Sequence, residues 1–391
     1  MQPAATVEPD LDRRAERYAA RHTLWSESTL RRVRNCGRAP RSNAEGVGVR
    51  VTEVDGRRVS GYSRLQHCGS VWACPVCQSV IASRRQQEIA GALTEWQQRG
   101  GRVVLGTFTM RHREGQSLRA LWRALGKAWH GVTSGRGWVE DTLGHGQVDV
   151  DDDGRLRGSI PRIRVVEVTH GPNGWHVHVH ALFLLPGTAT DASVAALESR
   201  LYGRWVAGLS KHGLDATRRR GADLRLLQGD CADALGDYFV KGRYSAADSA
   251  SFEAARGDLK RPADGHRSPF GILASLVETG DADDLDLWRE WETVSRGRRA
   301  IEWSRGLRAD LLGSDVEVSD EDLADGEDLG DEDLVVIDAD TFREITRARA
   351  DLSLLRAFER SEVEGRRHLG LFQVVAGQED IERRRRRRRS R

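Results

Sequence analysis

Three histidines alternate with apolar residues at positions 176, 178 and 180, and an apolar run over residues 181–185 follows them. Alternation is typical of a β-strand, in which every second side chain shares a face, so His176, His178 and His180 should project from one side. Neutral imidazole nitrogens bind metal ions near pH 7, and this face therefore predicts a metal site. The alternative interpretation is a polar strand face that carries histidines without a ligand.

A further candidate ligand comes from the strand predicted just before the histidines. Residues 162–169 read as that strand, and Gly171-Pro-Asn-Gly174 between the two has the composition of a turn. The pair should form an antiparallel hairpin that brings Glu167 close to the histidines. A carboxylate beside two imidazoles suits Mg²⁺ or Mn²⁺ with open coordination positions, although Glu167 could instead be a cross-strand charge partner.

The cysteines form a second candidate metal site. Cys68, Cys74 and Cys77 lie close together in the sequence, and the Cys74-Pro-Val-Cys77 segment reads as a knuckle-like turn that can direct two thiolates at one ion. Zinc with a structural role is the natural occupant, with Cys36 as the fourth ligand and His67 as its competitor. A redox pair or buried free cysteines are the alternatives.

Tyr238 and Lys241 are three residues apart, so they would share one face of a helix that Gly242 is suited to end. Lysine occurs only at positions 127, 211, 241 and 260, which makes a lysine beside a tyrosine more informative. A tyrosine hydroxyl near an ammonium group and a metal can act as a nucleophile. The alternative is an aromatic residue packed at a helix end.

The elements that would position these residues mix strands and helices. An apolar, β-branched stretch over 103–110 and a short one over 222–227 predict further strands, and residues 84–99, 118–132 and 191–212 predict helices. The fold class is therefore α+β, with an antiparallel central sheet and helices, a zinc-binding module before it and a mainly helical region after it. Trp288 and Trp291, three apart on a helix, read as a core stripe.

Composition limits the remaining choices. The chain has 391 residues and a net charge of +2, but that average hides an arginine-rich N-terminal part, an acidic stretch over 315–340 and an arginine run over 383–389. No apolar run is long enough to span a membrane, and residues 1–10 do not resemble a secretory signal. We therefore expect a cytoplasmic protein without a membrane partner.

The composition along the chain also predicts six segments. They are a polar arm (1–30), a zinc-binding module with a helix (31–100), a catalytic domain (101–250), an arginine- and tryptophan-rich helical segment (251–312), an acidic linker with a small appendage (313–370) and a basic tail (371–391).

These motifs resemble those of the HUH endonucleases, and more narrowly those of the replication initiators of actinobacterial rolling-circle plasmids. The resemblance rests on Cys74-Pro-Val-Cys77, on Gly106-Thr-Phe-Thr-Met-Arg-His112, on Gly174-Trp-His-Val-His-Val-His180 and on Tyr238-Phe-Val-Lys241. A fifth stretch, residues 296–307, also resembles these initiators. The order and spacing of the blocks carry the resemblance, which extends from about Cys36 to Leu307.

The resemblance implies a ferredoxin- or RRM-like catalytic sheet in which His178 and His180 hold a divalent metal. It implies that Tyr238 is the nucleophile and that Lys241 lies near the scissile phosphate, whereas His176 precedes the motif proper. Some relatives place a water-activating glutamate four residues before the tyrosine. Ala234 occupies that position here, and Asp233 or Asp237 could substitute.

The implied function is nicking of one strand at a plasmid double-strand origin, with origin DNA, a host helicase and a DNA polymerase as partners. The alternatives within the same chemistry are a conjugative relaxase and an HUH transposase. A non-catalytic zinc-dependent DNA-binding regulator would explain the cysteines but not the tyrosine and lysine. A hydrolytic metalloenzyme for small molecules would not need the arginines.

Overall fold

The structure is a computed structural model that describes residues 8–54, 56–145, 147–150, 156–229, 266–314, 318–324 and 332–373. The chain divides into two compact units. One combines Met1–Ile81 with Val318–Arg391, and the other is Ala82–Glu317. We call them the terminal unit and the central unit. Within the described residues, no helix is both long and apolar enough to cross a membrane.

Twelve helices with defined bounds lie in the described residues, and residues 362–373 are helical as well. The helices are α1 (Glu8–Glu27), α2 (Arg31–Asn35), α3 (Pro75–Gln98), α4 (Leu118–Val132), α5 (Gly135–His145), α6 (Asp191–Ser210), α7 (Pro269–Thr279), α8 (Ala282–Ser295), α9 (Leu307–Leu312), α10 (Asp320–Ala324), α11 (Ala339–Arg347) and α12 (Asp351–Arg360).

Ten strands in the described residues form three antiparallel sheets. The strands are β1 (Gly46–Val54), β2 (Arg57–Ser63), β3 (Arg102–Phe108), β4 (Gln147–Val150), β5 (Leu156–Ser159), β6 (Arg162–Gly171), β7 (Gly174–Leu185), β8 (Ala222–Leu226), β9 (Ile301–Trp303) and β10 (Val335–Asp338). The predicted α+β class with an antiparallel central sheet is confirmed.

The central unit is built on a five-stranded sheet with the order β8-β3-β7-β6-β9. Its middle strand, β7, joins β6 through a two-residue turn at Pro172 and Asn173, and Gly174 adopts φ +78°, which glycine allows without strain. Every residue from Gly171 back to Arg162 then has a partner on β7. This tight turn fixes the register of the strand that carries the histidines.

The two faces of this sheet are covered differently. On one face, Phe183 of β7 contacts Trp129 of α4 with ring centroids 6.3 Å apart, and Phe108 of β3 contacts Trp205 of α6 at 5.6 Å. On the other face, Leu182 and Leu184 pack with residues of α3 and α9. His176, His178 and His180 share this second face with the two leucines, because strand side chains alternate.

The terminal unit packs helices against a smaller sheet with the order β10-β1-β2. Its core joins Val47 and Val49 of β1 to Phe342 of α11 and Phe358 of α12, all of them fully buried. Strand β10 pairs with β1 from Gly46–Asp338 to Val49–Val335, so the last part of the chain completes a sheet begun near its start.

A buried ion cluster links α1 to α12 in the terminal unit. The Arg21 guanidinium donates to Asp351 Oδ2 at 2.5 Å, and His22 Nε2 lies 2.7 Å from Oδ1 of the same carboxylate. Arg21 and Asp351 are 1% and 0% exposed. Burial alone would raise the pKa of Asp351, but the hydrogen bond with His22 and the charge of Arg21 outweigh it and lower the pKa.

Several elements differ from those predicted. Residues 1–30 were expected to be a polar arm, yet α1 spans 20 residues and buries Leu24 completely. The Cys74-Pro-Val-Cys77 segment, expected to be a turn, runs into the first turn of α3, which begins at Pro75 instead of residue 84. Proline is favoured there because the first helical residues need no N–H partner within the helix.

Other expectations agree with the structure. Helix α4 has the predicted bounds of 118 and 132, because its apolar residues follow helical periodicity closely. Trp288 and Trp291 are 0% and 2% exposed, which confirms the core stripe. The boundaries of the two compact units, after Ile81 and after Glu317, fall inside the predicted segments 31–100 and 313–370, and the six-segment division stays a prediction.

Asp351→Asn should destabilise the terminal unit by about 3–5 kcal/mol, because Arg21 would keep a buried charge without its carboxylate. Since the folded-state pKa of Asp351 is lowered, its contribution is complete above the ordinary value of 3.8 and is lost as the pH falls through the lower folded value. Urea unfolding at pH 7 and at pH 3 measures both effects.

The matched control is Glu364→Gln, which removes an exposed ion pair with Arg360. Its effect should stay below about 1 kcal/mol. Equal losses of stability in the two variants would contradict the importance of the buried cluster. The same conclusion would follow if the difference in stability between the wild type and Asp351→Asn were as large at pH 3 as at pH 7.

Candidate metal centres

The β6–β7 hairpin brings three candidate ligands together. Its register pairs Glu167 with His178, and β3 pairs Thr107 with His180. Residues paired across antiparallel strands point to the same face, so Glu167, His178 and His180 lie side by side. We call these three residues the His-Glu triad.

The donor atoms of the triad converge. Glu167 Oε2 lies 2.8 Å from Nε2 of His178 and 2.8 Å from Nε2 of His180, and the three ligand atoms all lie within 4.8 Å of one another. An octahedral ion with bonds near 2.1 Å spaces neighbouring donors about 3 Å apart. The triad therefore fits one small divalent cation, and its ligand roles stay a prediction.

Interactions with the two histidines keep Glu167 ionised, which is the form that binds a cation. Burial alone would raise the pKa of Glu167, but the charge of His178 and hydrogen bonds from both histidines outweigh it and lower the pKa. The carboxylate is therefore ionised at neutral pH. On the other side of the site, Thr107 Oγ1 lies 3.2 Å from His180 Nδ1 and orients that ring, because a partner on the second ring nitrogen fixes how an imidazole faces its ligand.

His176 lies beside the triad without joining its three donors. Its ring stacks on His112 with centroids 4.8 Å apart and an interplanar angle of 21°. Burial, followed by the positive charges of His178 and His112, lowers the pKa of His176 to about 3. A neutral imidazole thus extends the row of histidines beside the triad.

The triad adjoins an open cleft of about 820 Å³. Thr107, His176 and His180 line it together with four arginines, Arg111, Arg219, Arg220 and Arg225. Arg111 pairs with Asp215 and Arg225 with Asp223. Arg219 and Arg220 form no ion pair within the described part of the chain, and both are exposed. The cleft therefore presents positive charge beside the triad.

Tyr238, Lys241, Asp233 and Asp237 lie outside the described residues, so their predicted roles stay predictions. The described chain stops at Gly229 and resumes at His266. Leu227 and His266 both line the cleft. The chain on either side of the segment that contains Tyr238 is therefore at the cleft.

The second candidate centre is the group of four cysteines in the terminal unit. Cys36 Sγ lies 3.7 Å from Cys74 Sγ and 3.5 Å from Cys77 Sγ, and Cys68 Sγ lies 3.6 Å from Cys77 Sγ. Zinc–sulfur bonds of about 2.3 Å in a tetrahedron space the sulfurs about 3.8 Å apart. All four residues are buried, with at most 4% exposed. This geometry fits structural zinc.

The structure also bears on the choice between Cys36 and His67. Cys36 completes a group of four thiols within 4.8 Å of one another. His67 Nδ1 lies 3.9 Å from Cys77 Sγ and is not part of that group. The geometry therefore favours Cys36 as the fourth ligand and His67 as a neighbour of the cluster.

Sequence reasoning missed several residues at these sites. Thr107 lies in one of the blocks that carry the resemblance, and its position opposite His180 follows only from the strand register. The run Arg218-Arg219-Arg220 is separated from β8 by Gly221, and its charge was the available signal.

Cys36→Ser should lower the zinc content from about one ion per chain to a small fraction, because a structural site needs four protein ligands. His67→Gln should retain zinc, since His67 lies outside the group of four. Metal analysis of the purified variants measures both. Retention of zinc by Cys36→Ser together with its loss in His67→Gln would reverse the assignment.

Glu167→Gln should weaken Mn²⁺ binding by about 10-fold or more, because even changes to the partners of metal ligands cost about 10- to 100-fold in affinity. The control is Glu302→Gln. Glu302 is also on this sheet, but it pairs with Arg164, which lies on the opposite face from the histidines. Isothermal titration with Mn²⁺ compares the two, and equal affinities would exclude Glu167 as a ligand.

Two curated proteins from Streptomyces are similar to this chain. The Protein rep of Streptomyces lividans is 33% identical over 367 residues, which cover 81% of this chain and 79% of that protein. A neomycin resistance protein of Streptomyces cyanogenus is 35% identical over 138 residues, 32% of this chain and 31% of that protein. No family model and no solved structure matches the chain. At this identity and coverage, the chain belongs to the family of actinobacterial plasmid Rep proteins.

Proposed function

We propose that this protein initiates rolling-circle replication of a plasmid by nicking one DNA strand at the double-strand origin. The observation that carries the proposal is the His-Glu triad beside an arginine-lined cleft, in a chain of the Rep family. Converging nitrogen and carboxylate donors next to positive charge suit the chemistry of a phosphodiester.

The proposed nucleophile is the phenolic oxygen of Tyr238. It attacks the scissile phosphorus, forms a 5′-phosphotyrosine bond and breaks the bond between phosphorus and the 3′ oxygen. The phenol loses its proton and the leaving 3′ oxygen gains one, so a free 3′-hydroxyl remains as a primer for a host polymerase. Because the phosphodiester energy is retained in the adduct, the reverse step rejoins ends without ATP.

The residues of the cleft have distinct parts in this proposal. Glu167, His178 and His180 would hold Mg²⁺ or Mn²⁺, which stabilises charge on the non-bridging phosphate oxygens. Arg219 and Arg220 bind phosphates of the single strand on either side of the reacting bond. Lys241 holds the scissile phosphate or lowers the pKa of Tyr238. Asp233 or Asp237 activates water when replication ends.

The alternatives differ in how much of the chain they explain. A DNA-binding regulator without catalysis would need the cysteines and the arginines but not the convergence of Glu167 with two histidines. A relaxase or a transposase would share the triad, whereas similarity to a Rep protein over 81% of the chain favours an initiator.

In the proposed function, the zinc group stabilises the terminal unit, and a host helicase would open the duplex.

Tyr238→Phe should abolish the covalent adduct. The full chain is incubated with Mn²⁺ and single-stranded oligonucleotides that tile the origin region of its plasmid, and adducts are detected on denaturing gels. The matched control is Tyr244→Phe, which removes a hydroxyl six residues away and should still form the adduct. An adduct in Tyr238→Phe, or its loss in Tyr244→Phe alone, would overturn the assignment of the nucleophile.

A further inference from the structure

Helix α4 has an exposed face of a single sign. Arg119, Arg123 and Lys127 are exposed at spacings of four residues, so they lie in one row along the helix. We call this row the basic stripe. The helix contains no acidic residue, and within the described part of the chain none of the three forms an ion pair. Lys127 is one of only four lysines in the chain.

The stripe stands out from the average surface. The chain has 61 basic and 59 acidic side chains, and protein surfaces normally mix the two signs. Next to the stripe, the Arg298 guanidinium lies 4.7 Å from the centroid of the Trp122 ring. Burial, followed by repulsion from the charges of Arg119 and Arg123, lowers the pKa of Arg298. An anion would relieve that repulsion.

The stripe and the cleft lie on opposite sides of the central sheet. Helix α4 packs its Trp129 against Phe183, on the face of β7 away from the histidines. A strand held at the His-Glu triad therefore does not reach the stripe by lying flat in the cleft. A ligand of the stripe is therefore separate from a strand held in the cleft.

The shape and chemistry of the stripe select that ligand. It extends about 12 Å along the helix, and a DNA duplex carries one phosphate charge per about 1.7 Å of its axis. The two large aromatic residues of α4, Trp122 and Trp129, are buried at 4% and 5% exposure and offer no surface on which unpaired bases could stack. A row of cations along a helix, without a stacking partner, suits a phosphate backbone whose bases remain paired.

We infer that the basic stripe binds the phosphate backbone of duplex DNA, at a surface separate from the cleft that takes the single strand. The inference rests on the proposed function for its choice of DNA as the ligand. Contacts of this kind carry no sequence information and hold the duplex in place while the single strand occupies the cleft.

The test is the salt dependence of duplex binding by the full chain. A fluorescent duplex of about 30 base pairs and arbitrary sequence is titrated at salt concentrations from about 50 to 200 mM, and binding is followed by anisotropy. Neutralising Arg119, Arg123 and Lys127 together with glutamine should reduce the slope of log K against log salt by about 2.7. Between about 50 and 200 mM salt, the wild type should therefore lose roughly 40-fold more affinity for the duplex than the glutamine variant.

Two controls keep the test specific. The first control is the triple variant Arg136→Gln, Arg360→Gln and Arg366→Gln. It removes the same net charge as the glutamine variant of the stripe, but from arginines that already pair with glutamates, so it should keep the wild-type slope. The charge-conserving triple variant Arg119→Lys, Arg123→Lys and Lys127→Arg should keep it too, because each position retains its cation. If the glutamine variant of the stripe has the same slope as the first control, the inference is overturned.

The outcome is independent of the nicking chemistry. Duplex affinity is measured without Mn²⁺ and does not depend on the adduct. If the wild type failed to form a tyrosine adduct, the proposed function would be overturned, but the salt slopes of duplex binding could still be compared. Conversely, if the wild type forms the adduct but the glutamine variant of the stripe keeps the wild-type salt slope, only the inference about the stripe is overturned.

Discussion

The register of one hairpin determines how the candidate ligands of the central unit are arranged. The two-residue turn at Pro172 and Asn173 pairs Glu167 with His178, and the carboxylate then reaches both histidines at 2.8 Å. A slip of one residue would turn Glu167 to the opposite face, where aromatic side chains of α4 and α6 pack. The apolar residues of β7 oppose such a slip, because it would remove Phe183 from that packing and bury the imidazoles there. The core and the triad therefore depend on the same constraint.

The parts that could be predicted from the sequence are those with local periodicity. Helix α4, the hairpin and the cluster of three cysteines all show their pattern within some twenty residues, and the structure agrees with each. Helix α1 was underestimated because Arg21, a charged residue, reads as surface although it is 1% exposed. Its partner Asp351 lies 330 residues away, and no local pattern records such a pairing.

A similar limit applies at the candidate sites. Cys36 and His67 were competitors for the fourth ligand position in the sequence, and only the distances in the folded chain from each side chain to the other cysteine sulfurs separate them. Thr107 is one of several threonines in the chain, and its contact with His180 joins residues 73 positions apart on two paired strands. The roles of Tyr238 and Lys241 rest on their motif alone, since both lie outside the described residues.

The pairing of β1 with β10 has a consequence for the order of events during synthesis on the ribosome. The terminal unit needs Phe342 and Asp351, so its first 81 residues emerge long before their partners do. At about 5–20 residues per second, the delay amounts to roughly 15–50 s, during which the continuous central unit can fold first. Throughout that interval Val47 and Val49 lack Phe342 and Phe358, so a prematurely terminated chain would contain a complete central unit and an incomplete core in the terminal unit.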